Sequence, residues 1–381
     1  MIKLDKALLK INIEKAAEYD FSNHKVFGSA CWVFQKDEVV YCSCFGNTSV
    51  DTKIPVKQNT LFRLASMTKP ITAFAVLVLV DRGLLSLSDP VSKYIPEFTD
   101  IHVKAPDHSN ILVDFGKAEK EVTVCHLLTH TLGIDGELLK SQQMTDEDKK
   151  TVNNTIKFYI NAGLDFEPGT KQQYSGIGAF NVLVKIIENI SGVDFHSFLK
   201  KEIFKPCGMV DTTFTPTPEQ SKRMIDMHNK VDGRNAIGDT VDHCIFLDYP
   251  CTHYLGGAGL VSTVNDYAEF AKLLLNKGKA KSKQLVSADT FQLLHTPYVS
   301  KEIMPGKENW GLGVRVIVDE SYEDLPLDTF GWSGAFSSHF WVDLQNQVAA
   351  VFMKNSLFDG GAANQSAQNF EKAVNASFVR E

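Results

Sequence analysis

The chain has 381 residues, with 39 Lys+Arg against 46 Asp+Glu for a net charge of −7, and is 44% hydrophobic and 22% charged. At about 150 residues per domain this length suggests roughly two domains, and such a chain buries about three-quarters of its unfolded surface without help from disulfides or metals. Disorder, a collagen-like fibre and a cystine-stapled mini-protein are excluded. Mild acidity excludes nucleic acid as the expected partner, since the one dense basic run, Lys277, Lys279, Lys281 and Lys283, reads as a solvated loop.

The chain opens on helical spacing, with Leu4, Leu8, Ile11 and Ile13 predicting a helix over 3–19. Charges interrupt this opening every few residues, so it lacks a secretory h-region. Two runs rich in β-branched and aromatic residues, 26–34 and 39–45, flank the polar Lys36-Asp37-Glu38 and predict a hairpin. A long middle follows, whose clearest helices are 70–82, 124–130, 177–190 and 264–276; Gly83 and Gly192 stop the first and third. The longest apolar stretch, 73–80, falls far short of the roughly 18–20 residues that span a bilayer, so no membrane is expected as a partner. Strands are predicted again over 312–318, 336–344 and 347–354, and a closing helix over 362–378.

The expected fold is α/β in the α+β sense: an antiparallel sheet built from both ends of the chain, flanked by helices, with a mostly helical domain inserted. In that reading residues 1–65 and 291–381 form the sheet domain, 66–290 form the helical one, and the active site lies in the cleft between. Seven cysteines without framework spacing read as reduced thiols, which with the missing export signal predicts a cytoplasmic protein.

Chemistry concentrates around Leu61-Phe62-Arg63-Leu64-Ala65-Ser66-Met67-Thr68-Lys69-Pro70-Ile71. Ser66 precedes a strongly apolar helix and Lys69 follows three residues later, a spacing that places hydroxyl and amine on one helical face. The next turns are apolar nearly all round, so the helix is buried. Burial disfavours an ammonium, so a lysine here can accept the serine proton, while the helix N-terminus favours developing negative charge. The same four residues also fit a serine cap beside an incidental lysine. A second motif, Phe166-Glu167-Pro168-Gly169-Thr170-Lys171-Gln172-Gln173-Tyr174-Ser175-Gly176, sets Tyr174 at a loop–helix boundary. A lysine ammonium nearby would favour its phenolate and make it a general base; a packing tyrosine is the plain alternative. A third, Thr329-Phe330-Gly331-Trp332-Ser333-Gly334-Ala335-Phe336-Ser337-Ser338, opens a strand with two glycines, a mark of close backbone approach by a ligand. Such an edge can give one N–H to an oxyanion, with the Ser66 N–H giving the other.

These motifs together resemble those of the serine hydrolases related to class C β-lactamases and penicillin-binding proteins, and within that group the chain is most similar to the family VIII carboxylesterases. The likeness runs in order from about 61 to 354, through Val124-Cys125-His126-Leu127-Leu128-Thr129-His130-Thr131-Leu132-Gly133, Ile203-Phe204-Lys205-Pro206-Cys207-Gly208-Met209 and Gly257-Ala258-Gly259-Leu260-Val261-Ser262-Thr263. The resemblance implies an acyl-enzyme mechanism: Ser66 as nucleophile, Lys69 and Tyr174 as the proton-transfer pair, and the Ser66 and Ala335 N–H groups as oxyanion hole. It further implies that Trp332, Ser333, Gly334 and Gly176 line the substrate site. No cofactor and no metal are expected.

Two departures bear on the substrate. Where the β-lactamase pattern ends its tyrosine motif in Asn, this chain has Gly176, and where the third motif begins with Lys or His, it has Trp332. A lost cation removes a charge-assisted bond worth about 1.5–3 kcal/mol to an anionic substrate, whereas an indole offers apolar surface to a neutral ester. The expected substrate is therefore a small-molecule ester of small or medium size. A β-lactam or D-amino-acid peptide, acyl transfer to an alcohol, and a non-catalytic binding role on the same scaffold are the alternatives.

Other signals point away from different chemistry. His126 and His130 have zinc-helix spacing, but Leu127 stands where a metalloprotease carries Glu. His243, Cys244, Cys251 and His253 are a more tempting ligand set, although adjacent residues rarely share one ion. Ala335 breaks a G-x-S-x-G elbow, and neither a dinucleotide fingerprint nor a P-loop occurs. Trp310, Phe336 and Trp341 read as core, Phe62 and Tyr254 as cleft residues. The whole reading requires the Ser66 hydroxyl, the Lys69 amine and the Tyr174 phenol to converge.

Overall fold

The computed structural model describes residues 2–106, 112–134, 144–238, 253–281, 283–361 and 363–380. Its centre is a seven-stranded antiparallel sheet in the spatial order Glu308–Trp310, Arg315–Ile317, Phe330–Ser333, His339–Asp343, Val348–Lys354, Gly28–Gln35, Glu38–Gly46. The expected mixed α/β fold with an antiparallel sheet is therefore the observed one. The amino-terminal hairpin joins the carboxy-terminal strands between the fifth and sixth positions, where Trp32 pairs with Val351 and Ala30 with Met353.

Side chains alternate across a strand, so each strand serves two cores. Trp32, Phe34, Phe330, Trp332, Phe340, Val351 and Met353 face one side, continuous with the apolar interior of the helical part. Helix Val264–Leu275 packs on that face, against the strands Val348–Lys354 and His339–Asp343. Cys31, Val33, Trp341, Ala350 and Phe352 face the other side, covered by Leu9 and Ile13 of helix Lys6–Ser22 and by Phe370 and Val374 of helix Gln365–Asn375. The result is a sheet between two helical layers.

Several boundaries differ from expectation for local reasons. The first helix starts at Lys6 because Asp5 caps it, accepting the Leu8 N–H at 2.8 Å. Residues Ile2–Leu4 peel away as a strand paired with Phe378–Arg380. The strand predicted from 336 begins only at His339, since 334–338 form a tight turn with Ser337 at a φ of 76°. The third motif thus closes a strand, Phe330–Ser333, and does not open one. Helix Val152–Ala162, capped by Thr151, was hidden by its polar start at Asn153 and Asn154. The basic run around Lys279 forms a small hairpin of Lys279–Ala280 with Lys283–Gln284. Among the described residues no helix is long and apolar enough to cross a membrane.

Candidate active site

Ser66 lies in a short 3-10 turn, Ala65–Met67, that runs straight into helix Thr68–Asp81. The preceding Ala65 has a φ of 45°, a sparsely populated conformation for a residue with a Cβ and one that tends to persist at working sites. Surrounding contacts hold this turn. Strand Phe62–Arg63 pairs with Val261–Ser262, and the Leu64 N–H donates to Leu260 O at 2.9 Å. The Asn355 side chain brackets Arg63, its Oδ1 accepting the Arg63 N–H at 2.8 Å and its Nδ2 donating to Arg63 O at 2.9 Å. Tyr267, fully buried, donates its hydroxyl to Met67 O at 2.8 Å.

Helix Thr68–Asp81 is buried on every side from Thr68 to Leu79, and Lys69 with it at 0% exposure. Burial of an amine demands partners, and Lys69 Nζ has three: Gly176 O at 2.6 Å, Gly257 O at 2.9 Å and Ser66 Oγ at 3.2 Å. One turn on, Thr72 Oγ1 donates to Gly256 O at 2.7 Å, so the 256–257 loop is gripped twice by the same helix. A Cβ on Gly257 would press on Gly176 O at 2.6 Å and on Lys69 Nζ at 3.2 Å, which is why backbone alone fits there.

Tyr174 stands at the loop before helix Gly178–Ser191, as expected, with its hydroxyl 2.8 Å from Ser66 Oγ. Its ring lies beside Lys69, Nζ being 4.9 Å from the ring centroid. The Trp332 indole Nε1–H donates to the same phenol oxygen at 3.3 Å. The hydroxyl at 66, the amine at 69 and the phenol at 174 do converge.

His130 places Tyr174, a role the sequence reading missed. Its carbonyl accepts the Gln173 N–H at 2.9 Å and its Nδ1 accepts the Ser175 N–H at 3.1 Å, bracketing Tyr174 on both sides. Burial, and then the charge of Lys69, push His130 well below the usual histidine range, so the ring is neutral. Because Nδ1 accepts, the proton sits on Nε2, which has no polar partner and faces aromatic rings: Trp310 at 4.3 Å and Phe180 at 5.6 Å between centroids. Trp310 also stacks on Tyr174 at 5.9 Å and lies tilted against Trp332 at 4.6 Å. The signal available in sequence was only that 124–133 is a coherent segment.

The remaining expected residues divide. Gly176 contributes its carbonyl to Lys69. Trp332 is 9% exposed and beside Tyr174. Ser333 turns its buried hydroxyl to His339 Nδ1 at 2.9 Å, on the face of the sheet that the terminal helices cover. Ala335 is exposed at the tip of the 334–338 turn, and that turn is drawn to the segment leading into Ser66 by Ser338 Oγ, which donates to Leu64 O at 3.2 Å. Among the described residues no three His, Cys, Asp or Glu side chains form a metal-holding group. His126 uses Nδ1 to accept the Thr123 N–H at 3.2 Å, while His243, Cys244 and Cys251 lie outside the described residues.

An antiparallel sheet between helices, with a buried lysine three residues after a serine and a tyrosine on the same hydroxyl, defines the hydrolases of the β-lactamase and penicillin-binding-protein type. The comparisons agree: the model of the Beta-lactamase family matches residues 11–373, and the chain belongs to that family. Esterase EstB of Burkholderia gladioli is 26% identical over 388 aligned positions, covering 94% of this chain and 93% of its own. Protein Rv1367c of Mycobacterium tuberculosis is 27% identical over 346 positions, 86% of this chain and 85% of its own. Among solved structures, EstCE1, a hydrolase with promiscuous acyltransferase activity, superposes with a TM-score of 0.81 at 21% identity, over 97% of this chain and 99% of that one.

Proposed function

We propose that the protein is a carboxylesterase that cleaves small or medium neutral esters through an acyl-enzyme on Ser66. The observation that carries the reading is the double contact on Ser66 Oγ, Lys69 Nζ at 3.2 Å and Tyr174 OH at 2.8 Å. Two carbonyls, Gly176 O and Gly257 O, take two N–H groups of Lys69 and leave its third tetrahedral position aimed at Ser66. Once Lys69 gives up the proton at that position, its lone pair points at Ser66 and can take the serine proton.

As Ser66 Oγ attacks the ester carbonyl, its proton passes to Lys69, and the carbonyl oxygen becomes an oxyanion held by the Ser66 and Ala335 N–H groups. Collapse breaks the bond to the alkoxide, which leaves as the alcohol with the proton of Tyr174. The resulting phenolate is favoured by the Lys69 ammonium and by the Trp332 N–H. Water then attacks the acyl group, its proton passing to the Tyr174 phenolate, while Lys69 returns a proton to Ser66 Oγ as the acid departs. Every proton is accounted for and all three side chains are reset.

Support for an ester over a β-lactam comes from Trp332, which puts an uncharged indole where a carboxylate-binding cation would stand, and from the likeness to esterase EstB. Gly176 brings no amide side chain for a substrate carbonyl. We also read the chain as cytoplasmic, and as a sheet part and a helical part with Ser66 at their seam, helix Val264–Leu275 going with the sheet. The test sets p-nitrophenyl butyrate beside nitrocefin. Ester turnover at least a hundredfold faster, lost in Ser66→Ala together with fluorophosphonate labelling, is the expected result. Faster nitrocefin hydrolysis would refute the substrate assignment, and turnover by Ser66→Ala would refute the acyl-enzyme.

A further inference from the structure

The two N–H groups assigned to the oxyanion hole belong to separate parts of the chain, and one segment touches both. Beyond strand Val348–Lys354 the backbone runs through 355–361. At one end Asn355 brackets Arg63, three residues before Ser66, with bonds of 2.8 and 2.9 Å. Further along, the Ser356 N–H donates to Phe336 O at 3.1 Å, the Gly361 N–H donates to Gly334 O at 3.2 Å, and the Ser337 hydroxyl donates to Asp359 O. Gly360 lies so close beneath Ala335 that a Cβ on it would run into the Ala335 carbonyl oxygen.

This segment is anchored by charge in the interior. Lys354 is 0% exposed, and its Nζ donates to Asp359 Oδ2 and to Ser366 Oγ, both at 2.7 Å. Ser366, on helix Gln365–Asn375, in turn lies 2.6 Å from Asp20 Oδ1 on helix Lys6–Ser22. Lys25 Nζ closes the cluster 3.4 Å from Asp359 Oδ1. A buried ammonium cannot give up its carboxylates without stranding a charge, so Asp359 is fixed, and the main-chain bonds around it are fixed too.

We infer that residues 355–361 form a clamp that sets the spacing of the oxyanion hole, with Lys354, Asn355 and Asp359 as its positioning residues. The inference rests on the acyl-enzyme reading above. Donors to an oxyanion act only when they are already in place, and a shift on the order of 1 Å costs rate heavily. Of the turn only Ala335 is exposed, and the turn's inner bonds, Gly334 N–H to Ser338 O and Ser337 N–H to Gly334 O, shape it without locating it. Its location comes from Leu64 on one side and the clamp on the other.

The sharpest variant is Gly360→Ala. Gly360 is exposed and outside the left-handed region, so the methyl group acts on Ala335 and leaves the core alone. Expected are an unchanged melting temperature and a loss of about 10²-fold in kcat, the scale of losing one oxyanion donor, with KM within about threefold. The preference for an oxygen ester over its thionoester, which reports on hydrogen bonds to the developing oxyanion, should collapse with it. Lys354→Met should lower kcat and the same preference as well as the melting temperature. Ser66→Ala serves as the control. If it keeps turning over ester, the acyl-enzyme reading fails and takes the clamp with it. If it is inert while Gly360→Ala keeps its kcat and its oxygen preference, the clamp alone fails; a Lys354→Met variant that melts early yet keeps both has the same meaning.

Discussion

Trp332 shows how one side chain can carry two functions that sequence separates poorly. Its place in the third motif marks it as substrate surface, but its indole N–H also reaches the Tyr174 oxygen at 3.3 Å. Trp332→Phe keeps the aromatic face and removes only that donor. Kinetics with p-nitrophenyl butyrate should show kcat reduced about tenfold with little change in KM, since hydrogen bonds to charged groups are worth about 1.5–3 kcal/mol at best geometry and this one is long. A changed KM at constant kcat would instead assign Trp332 to binding alone. Gly257→Ala should be more damaging, because its Cβ meets Gly176 O, one of the two carbonyls that hold the amine, and Lys69 Nζ itself. A loss of at least about 10²-fold in kcat/KM is expected from that misplacement, and wild-type turnover would deny Lys69 its exact seat a role. Ser66, Lys69 and Tyr174 were legible only because their motifs occur together and in order; singly, the spacing also fits a serine cap and Tyr174 a packing residue. His130 and Asn355 were not, since each works on backbone groups that are far away in the chain.

Among the elements, helix Thr68–Asp81 was legible from its unbroken apolar run, and the structure buries it all round. Leu77, fully buried within it, touches only core, so Leu77→Ala should cost about 2–5 kcal/mol in urea unfolding without moving the pH profile of turnover. A cost under about 1 kcal/mol would mean that the helix is less tightly enclosed than described. Strand Gly28–Gln35 was legible for the same reason of pattern, being buried along its whole length. Ends of elements were harder. Asp5 and Thr151 start helices through hydrogen bonds that compete with helical continuation, and 334–338 leaves the strand ladder because Ser338 and its neighbours bond elsewhere. The clamp at 355–361 has no periodicity at all, so nothing in its sequence distinguishes it from an ordinary loop.

For the whole molecule, the buried histidines govern acid stability. Burial holds His130, His228 and His295 below the usual histidine range and takes His196 to about 4. The unfolded chain therefore binds protons below about pH 6.5 that the native state refuses, so stability falls as pH drops. Glu371, although buried, is drawn down to about 2 by Arg315 and His339, and its contribution, full above its ordinary 4.5, is lost on further acidification. Asp266 and Asp343, raised by burial, oppose the trend at the acid end. Melting temperature should drop most steeply between about pH 6.5 and 4, and a flat profile there would contradict the neutral state of these rings.

The pairing of Trp32 with Val351 and of Ala30 with Met353 has a further consequence for how the protein is made. The second strand from the amino end cannot be hydrogen-bonded on both edges until more than three hundred further residues have left the ribosome. A growing chain can complete helix Thr68–Asp81 and its helical neighbours early, yet it holds an open, sticky β-hairpin throughout elongation. Premature termination after helix Val264–Leu275 but before strand Val348–Lys354 should thus yield aggregates without hydrolase activity, whereas chaperone binding should concentrate on the first fifty residues of the nascent chain.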